Sequence, residues 1–374
     1  MVDPANPDAK NWKKIMAEDK QALLEGVYTT GGKLFAKYLQ NATNKLFVYD
    51  MDGKNKKEIA LPGTGELEVF AGRKTDKLIN YTYTSFNYPK SIFTYDINSG
   101  YSNLFLKPDL KFNPEDFESK QVWYKSKDGT KVSMFIVHKK GLVLNGKNPT
   151  YLYGYGGFSV NMTPTFSASR ILLIENGGVF AMPNLRGGAE YGEDWHKAGT
   201  LMQKQNVFDD FIAAAQYLIK QKYTSKEKLA IAGGSNGGLL VGACMIQRPD
   251  LFKVAFPAVG VMDMLKFHKF TIGYGWISDY GSSDQSKEMF EYLKGYSPYH
   301  NLKPKTKYPA TMVTTADHDD RVVPAHSFKF AARLQEYGDK STPLLIRIGV
   351  NAGHGAGKPT SKIIEEATDA WSFF

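Results

Sequence analysis

From residue 150 to the C-terminus, short apolar runs alternate with longer stretches of helical period, and this restricts the fold more than any other feature of the chain. Residues 150–153, 178–182, 229–232, 254–259, 310–314 and 344–348 read as strands. Residues 168–175, 207–220, 238–247, 325–337 and 361–373 read as helices. The short runs lack period-two alternation, as strands covered on both faces do. Strand and helix in turn imply βαβ units and a mainly parallel, doubly wound sheet. Just ahead of them, 122–124 and 132–137 flank Asp128-Gly129 and read as an antiparallel hairpin.

Residues 1–120 have a different character and read as all-β. Lys45-Leu46-Phe47-Val48-Tyr49-Asp50 runs into a turn at Met51-Asp52-Gly53, and Ser91-Ile92-Phe93-Thr94-Tyr95-Asp96 runs into one ending at Gly100. The two Tyr-Asp pairs lie 46 residues apart, and Lys33-Leu34 lies 44 residues before Lys77-Leu78. A repeat of this length built from short strands marks β-propeller blades, although an ordinary β-meander gives the same pattern. The expected division is a partial propeller of about two blades over 1–120 and an α/β domain over 121–374.

With 42% apolar and 23% charged residues, the chain has the material for a sizeable core and is not of disordered composition. The net charge of +9 is spread along the sequence, with no basic run to track phosphates, so no nucleic-acid partner is expected. No apolar run is long enough to span a bilayer, and the polar first residues carry no signal-peptide core, so no membrane partner is expected either. A soluble protein of the cytoplasm or periplasm is the corresponding expectation. The single cysteine, Cys244, excludes an intramolecular disulfide and lies in the apolar run 239–246, the setting of a packing residue rather than a nucleophile.

Gly233-Gly234-Ser235-Asn236-Gly237 matches G-x-S-x-G between an expected strand and an expected helix, the context that a nucleophile elbow requires. A hydroxyl needs a base, and the base an orienting acid. In α/β-hydrolases the order along the chain is serine, acid, histidine. His354 suits the base, because its loop directly follows the strand 344–348 at the edge where such a sheet displays its site. The acid belongs in the preceding loop, where Asp317, Asp319 and Asp320 all compete. A metal site is the rival for that acidic cluster around His318, but no second group of ligands stands at metal-binding spacing. No cofactor or metal is expected.

Five segments together resemble the prolyl oligopeptidase family: Tyr153-Gly154-Tyr155-Gly156-Gly157-Phe158, Asn184-Leu185-Arg186-Gly187-Gly188, Gly233 to Gly238, Thr315 to Pro324 and Ala352 to Pro359. The resemblance covers essentially the whole chain and is densest after residue 121. It implies Ser235 as nucleophile, Asp319 as acid and His354 as base. It implies an oxyanion hole made by the Tyr155 hydroxyl and the backbone N–H of Asn236. It implies a proline pocket in which Trp276 stacks on the substrate ring, with Phe158, Val261, Tyr280 and Val322 as walls. Arg321 would hold a substrate carbonyl, or else pair with Asp317 or Asp320. The implied activity is a serine endopeptidase that cuts short peptides after proline through an acyl-enzyme. A broader esterase, an acylaminoacyl-peptide hydrolase and an inactive fragment are the alternatives. Trp276 and Arg321 favour the first, since small-acyl esterases need not bind a peptide backbone.

The family's propeller has about seven blades, roughly 300 residues at 40–50 per blade. Only about 120 precede the hydrolase part here, and the chain stops at Trp371-Ser372-Phe373-Phe374. The resemblance therefore implies a shortened chain, and the exposed edges of the remnant imply self-association.

Overall fold

Period-two burial organises the first part of the chain. In the computed structural model, which describes residues 1–355 and 357–374, eight strands form two four-stranded antiparallel sheets in sequential order. The first holds β1 (Leu23–Thr30), β2 (Lys33–Gln40), β3 (Thr43–Asp50) and β4 (Lys57–Glu58). The second holds β5 (Glu66–Phe70), β6 (Leu78–Ser85), β7 (Tyr88–Asp96) and β8 (Ser102–Leu106). The repeat in the sequence falls on matching strands: Lys33-Leu34 opens β2 and Lys77-Leu78 enters β6, while Tyr49-Asp50 ends β3 and Tyr95-Asp96 ends β7. Phe35, Leu46, Ile79, Tyr81, Phe93 and Tyr95 form the shared core, with Tyr81 stacked on Phe93 at 5.5 Å. The side chain of Asn44 accepts from the N–H of Leu67 at 2.8 Å, a buried polar tie between the sheets.

Contacts divide the chain into two units, Met1–Pro114 with Thr163–Ser167, and Glu115–Met162 with Ala168–Phe374. Thr163–Ser167 belongs to the first unit despite its position in sequence. Thr163 donates to Glu66 at 3.0 Å, and Phe166 stacks on Phe112 at 5.5 Å.

The second unit is a single eight-stranded sheet between helices. Its strands are β9 (Phe117–Lys125), β10 (Lys131–Lys139), β11 (Thr150–Tyr153), β12 (Val179–Pro183), β13 (Leu229–Gly234), β14 (Val254–Ala258), β15 (Ala310–Ala316) and β16 (Leu344–Gly349). The spatial order is β16-β15-β14-β13-β11-β12-β10-β9. β9, β10 and β12 pair antiparallel, and every pair from β12 through β16 is parallel. The expected hairpin is β9–β10, with Tyr124 opposite Val132.

The helices are α1 (Ala168–Glu175), α2 (Glu193–Lys197), α3 (Gln205–Lys220), α4 (Asn236–Gln247), α5 (Ile277–Tyr280), α6 (Lys287–Tyr296), α7 (Pro298–Asn301), α8 (Ala325–Tyr337) and α9 (Thr360–Phe373). α3 buries Val207, Phe208, Phe211, Ala214, Ala215 and Leu218, the one-sided spacing of a helix laid on a sheet. Truncating a wholly buried ring such as Phe211 costs about 3–5 kcal/mol. α4 is apolar all round and buried along its length, so Cys244 is a packing residue, and burial raises its thiol well above the ordinary range. α4 begins two residues before the pattern suggests, at Asn236-Gly237-Gly238. Those residues have poor helix propensity, and the turn preceding them decides the start instead. Among the described residues no helix is long and apolar enough to cross a membrane.

Candidate active site

The turn between β13 and α4 sets the site. Ser235 has φ 58° and ψ −118°, which a residue with a Cβ adopts at a cost of roughly 1–3 kcal/mol. Its N–H donates to Ala258 O at 2.9 Å, and its carbonyl accepts from Gly238 N–H at 2.9 Å, so the strain is held from both sides. A Cβ at Gly233 would strike the carbonyls of Gly237 and Gly154, and one at Gly238 would strike Ala258 O. Only glycine lets α4 start this close to its strand. Ser235 thus stands half-exposed at the C-terminal edge of the sheet, ahead of the unsatisfied N–H groups of a helix start.

The other chemistry-bearing loops leave neighbouring strands at the same edge. β15 and β16 are parallel partners, with Ala316 opposite Gly349, so the loops after them lie side by side. Across them His354 Nδ1 and Asp319 Oδ2 are 2.7 Å apart. A carboxylate only accepts, so Nδ1 carries the proton and Nε2 is left as the basic nitrogen. Asp319 is 3% exposed, and its Oδ1 accepts the N–H groups of Arg321 and Val322 at 3.0 and 2.9 Å. The three competing carboxylates are thereby separated. Asp317 accepts the N–H groups of Asn351 and Ala352 and pairs with His318, contacts that hold its carboxyl well below the usual range. Asp317 therefore staples the His354 loop, while Asp320 is exposed. Ala356, in the motif around His354, lies outside the described residues.

Ser235 shares a cavity of about 240 Å³ with Tyr155, Phe158, Val261, Ile272, Trp276, Tyr280 and Arg321. Tyr155 lines the cavity with Ser235, and burial raises the pKa of its hydroxyl, which keeps it a neutral donor. The aromatic wall is built from mutual contacts. Phe158 meets Tyr280 edge-on at 5.2 Å, and Phe267 stacks behind Trp276 at 6.3 Å. Phe158 has φ 57° and is pinned there by its N–H, which donates to Asp279 Oδ2 at 2.9 Å; the other carboxylate oxygen bonds His196 at 2.8 Å. Arg321 makes no ion pair among the described residues, so neither Asp317 nor Asp320 occupies its guanidinium.

Not every expected residue is brought into that cavity. Val322 is buried outside it and contributes its N–H to Asp319. His354 lines an adjoining cavity with Gly233 and Gly234, the two residues before Ser235, and no hydrogen bond joins it to Ser235 among the described residues. Arg186, from another motif of the resemblance, is structural: its buried guanidinium pairs with Asp210 and Asp128, each at 2.6 Å. Ile272 completes the pocket wall unannounced by any pattern. The side chain of Asn236 is a further participant, donating to Tyr155 O at 2.5 Å and accepting from the Tyr280 hydroxyl at 2.8 Å. A cavity of about 1040 Å³ lies at the opposite ends of the strands, beside Leu229, Val254 and Ala310, far from the elbow.

Residues 164–374 match the model of the prolyl oligopeptidase family, and residues 1–108 match that of the prolyl oligopeptidase N-terminal β-propeller domain. A prolyl endopeptidase of Elizabethkingia meningoseptica is 55% identical over 98% of this chain and 52% of its own length. One of Dictyostelium discoideum is 45% identical over 99% of this chain and 50% of its own. The chain spans about half the length of the curated relatives it matches. A solved prolyl endopeptidase superposes with a TM-score of 0.94 at 47% identity, covering 100% of this chain and 55% of that one. Prolyl oligopeptidase B of Galerina marginata, bound to a 35mer hydrolysis and macrocyclization substrate, gives 0.91 at 41% identity, over 96% of this chain and 52% of that one. On sequence, on both domain models and on fold, the chain belongs to the prolyl oligopeptidase family.

Proposed function

We propose that this chain is a serine endopeptidase that cleaves short peptides on the carboxyl side of proline, with Ser235, His354 and Asp319 as its triad. The observation that carries the reading is the shared cavity. It holds the strained serine, a neutral tyrosine hydroxyl, an aromatic wall and a guanidinium without a carboxylate partner among the described residues. A flat indole face suits a rigid pyrrolidine ring, and Arg321 is free to take the carbonyl one residue upstream.

Ser235 Oγ attacks the scissile carbonyl carbon and passes its proton to His354 Nε2, while Asp319 holds the imidazole by Nδ1. The negative oxygen of the tetrahedral intermediate is stabilised by the Tyr155 hydroxyl and the Asn236 N–H. Collapse breaks the C–N bond, and the leaving amine takes the proton from His354. Water then repeats the sequence on the prolyl ester, releasing the acid and returning the proton to Ser235. The two β-sheets serve as the propeller part of this organisation. Self-association through their outer strands is part of the same proposal: β8 exposes Leu104, Phe105 and Leu106, and β1 exposes Leu23, Leu24 and Val27.

The test is turnover of a chromogenic Gly-Pro amide against its Gly-Ala counterpart, with Ser235→Ala alongside. Cleavage after proline, and its loss together with covalent phosphonylation in Ser235→Ala, is the expected result. Labelling that persists without Ser235 would overturn the nucleophile. Equal turnover of both substrates, or of a simple acyl ester only, would favour a broader hydrolase.

A further inference from the structure

One buried charge beside the site has no part in the proton transfers above. Lys204 precedes α3, is 1% exposed, and donates its ammonium to Gly156 O at 2.8 Å and Asn236 Oδ1 at 3.1 Å. Neither acceptor is a carboxylate, and the Tyr280 ring lies 5.3 Å away. Burial pushes the amine down to about 8, with Asp279 opposing at longer range. A methionine would fill much the same volume without burying a charge, so whatever Lys204 contributes comes through its two hydrogen bonds.

Those bonds have informative ends. Gly156 follows Tyr155, and Asn236 follows Ser235. The Asn236 side chain also grips Tyr155 O, and Tyr280 donates to the same Oδ1 that Lys204 uses. The lysine therefore clamps, from behind, the two segments that carry the Tyr155 hydroxyl and the Asn236 N–H. We infer that Lys204 is a positioning residue that fixes the separation of the two oxyanion donors and so stabilises the tetrahedral intermediate without touching substrate. This inference rests on the serine peptidase reading above. Donors displaced by about 1 Å lose roughly 100-fold in rate, so a clamp on their spacing is felt in kcat.

Lys204→Met, with Lys204→Gln as a second variant should the first not fold, is compared with the parent chain on a Gly-Pro amide. Expected are a roughly 10- to 100-fold fall in kcat, a KM changed by less than about threefold, and parallel weakening of a prolyl aldehyde that forms the tetrahedral adduct. An unchanged kcat, or a KM that rises as much as kcat falls, overturns the inference. Hydrogen exchange on the same full chains supplies a readout independent of turnover. Amides of 154–158 and 235–238 should exchange faster in the variant while α6 and α8 stay as before. Faster exchange everywhere would reduce Lys204 to general packing and overturn the inference. If the parent chain proves inactive on proline substrates, the function proposed above falls while the exchange result still decides whether Lys204 clamps the two segments.

Discussion

His354 Nδ1 and Asp319 Oδ2 stand 2.7 Å apart, between loops that leave adjacent parallel strands. An amide at position 319 would offer a donor where the imidazole needs an acceptor, favouring the wrong tautomer. Asp319→Asn should lower kcat on the order of 10³–10⁴-fold. Asp320→Asn, on an exposed side chain, should stay within a few-fold. Steady-state kinetics on a Gly-Pro amide, with circular dichroism as a folding control, checks both. A larger loss at Asp320 would place the acid wrongly.

Trp276 is backed by Phe267 and faces the cavity that holds Ser235. Stacking of an aromatic face contributes about 0.5–1.5 kcal/mol beyond burial. Trp276→Ala should therefore reduce the preference for proline over alanine at the cleaved position by roughly 2- to 10-fold. The ratio of kcat/KM values for paired substrates measures it, and an unchanged ratio removes Trp276 from the recognition of proline.

Glu190 gives a pH prediction. Its Oε1 accepts the N–H of Met162 at 2.8 Å, Oε2 is buried without a partner among the described residues, and burial raises the carboxyl from 4.5 to about 7. With a folded pKa above the unfolded one, the contribution of the neutral acid is fully present below about pH 4.5 and is lost as pH rises through about 7. Glu190→Gln keeps an acceptor for Met162 and cannot ionise. Its melting temperature relative to the parent should rise between pH 4.5 and pH 8. A difference that stays flat across that range would mean that Glu190 ionises normally.

The outer strand β8 presents Phe105 at 71% exposure between Leu104 and Leu106. An open, apolar strand edge is a template for pairing with another copy. Light scattering after size exclusion should show mass rising above 41.8 kDa with concentration, and Phe105→Lys should suppress the rise. A parent chain that remains monomeric at high concentration would refute it.

What could be read before the structure follows from the range of the forces involved. The strand–helix alternation and the elbow are local, and 229–232, 325–337 and 344–348 fall on β13, α8 and β16. The choice among Asp317, Asp319 and Asp320 is not local, because it depends on which carboxylate meets a loop 35 residues away. For the same reason the motif gave only the backbone of Asn236: its side chain bonds residues 32, 44 and 81 positions distant. Ile272 and Lys204 carry no pattern at all, since one apolar residue in a short turn and one lysine before a helix look like surface and filler. Val322 has the composition of a pocket wall, and the bond of its N–H to Asp319 is a backbone contact that composition does not encode.

The segment Thr163–Ser167 has a practical consequence for anyone rearranging this chain. It lies inside the stretch that builds the α/β sheet, yet Thr163 and Phe166 are bound to Glu66 and Phe112. The polypeptide therefore passes between its two units three times rather than once. A protease nick at Pro114 would break the covalent link there and leave Met1–Pro114 held only by its non-covalent contacts with this strap. A chimaera with a single crossover there would inherit the strap from one parent and its seat from the other, so gene-shuffling breakpoints should be chosen in pairs that move Thr163–Ser167 together with Met1–Pro114.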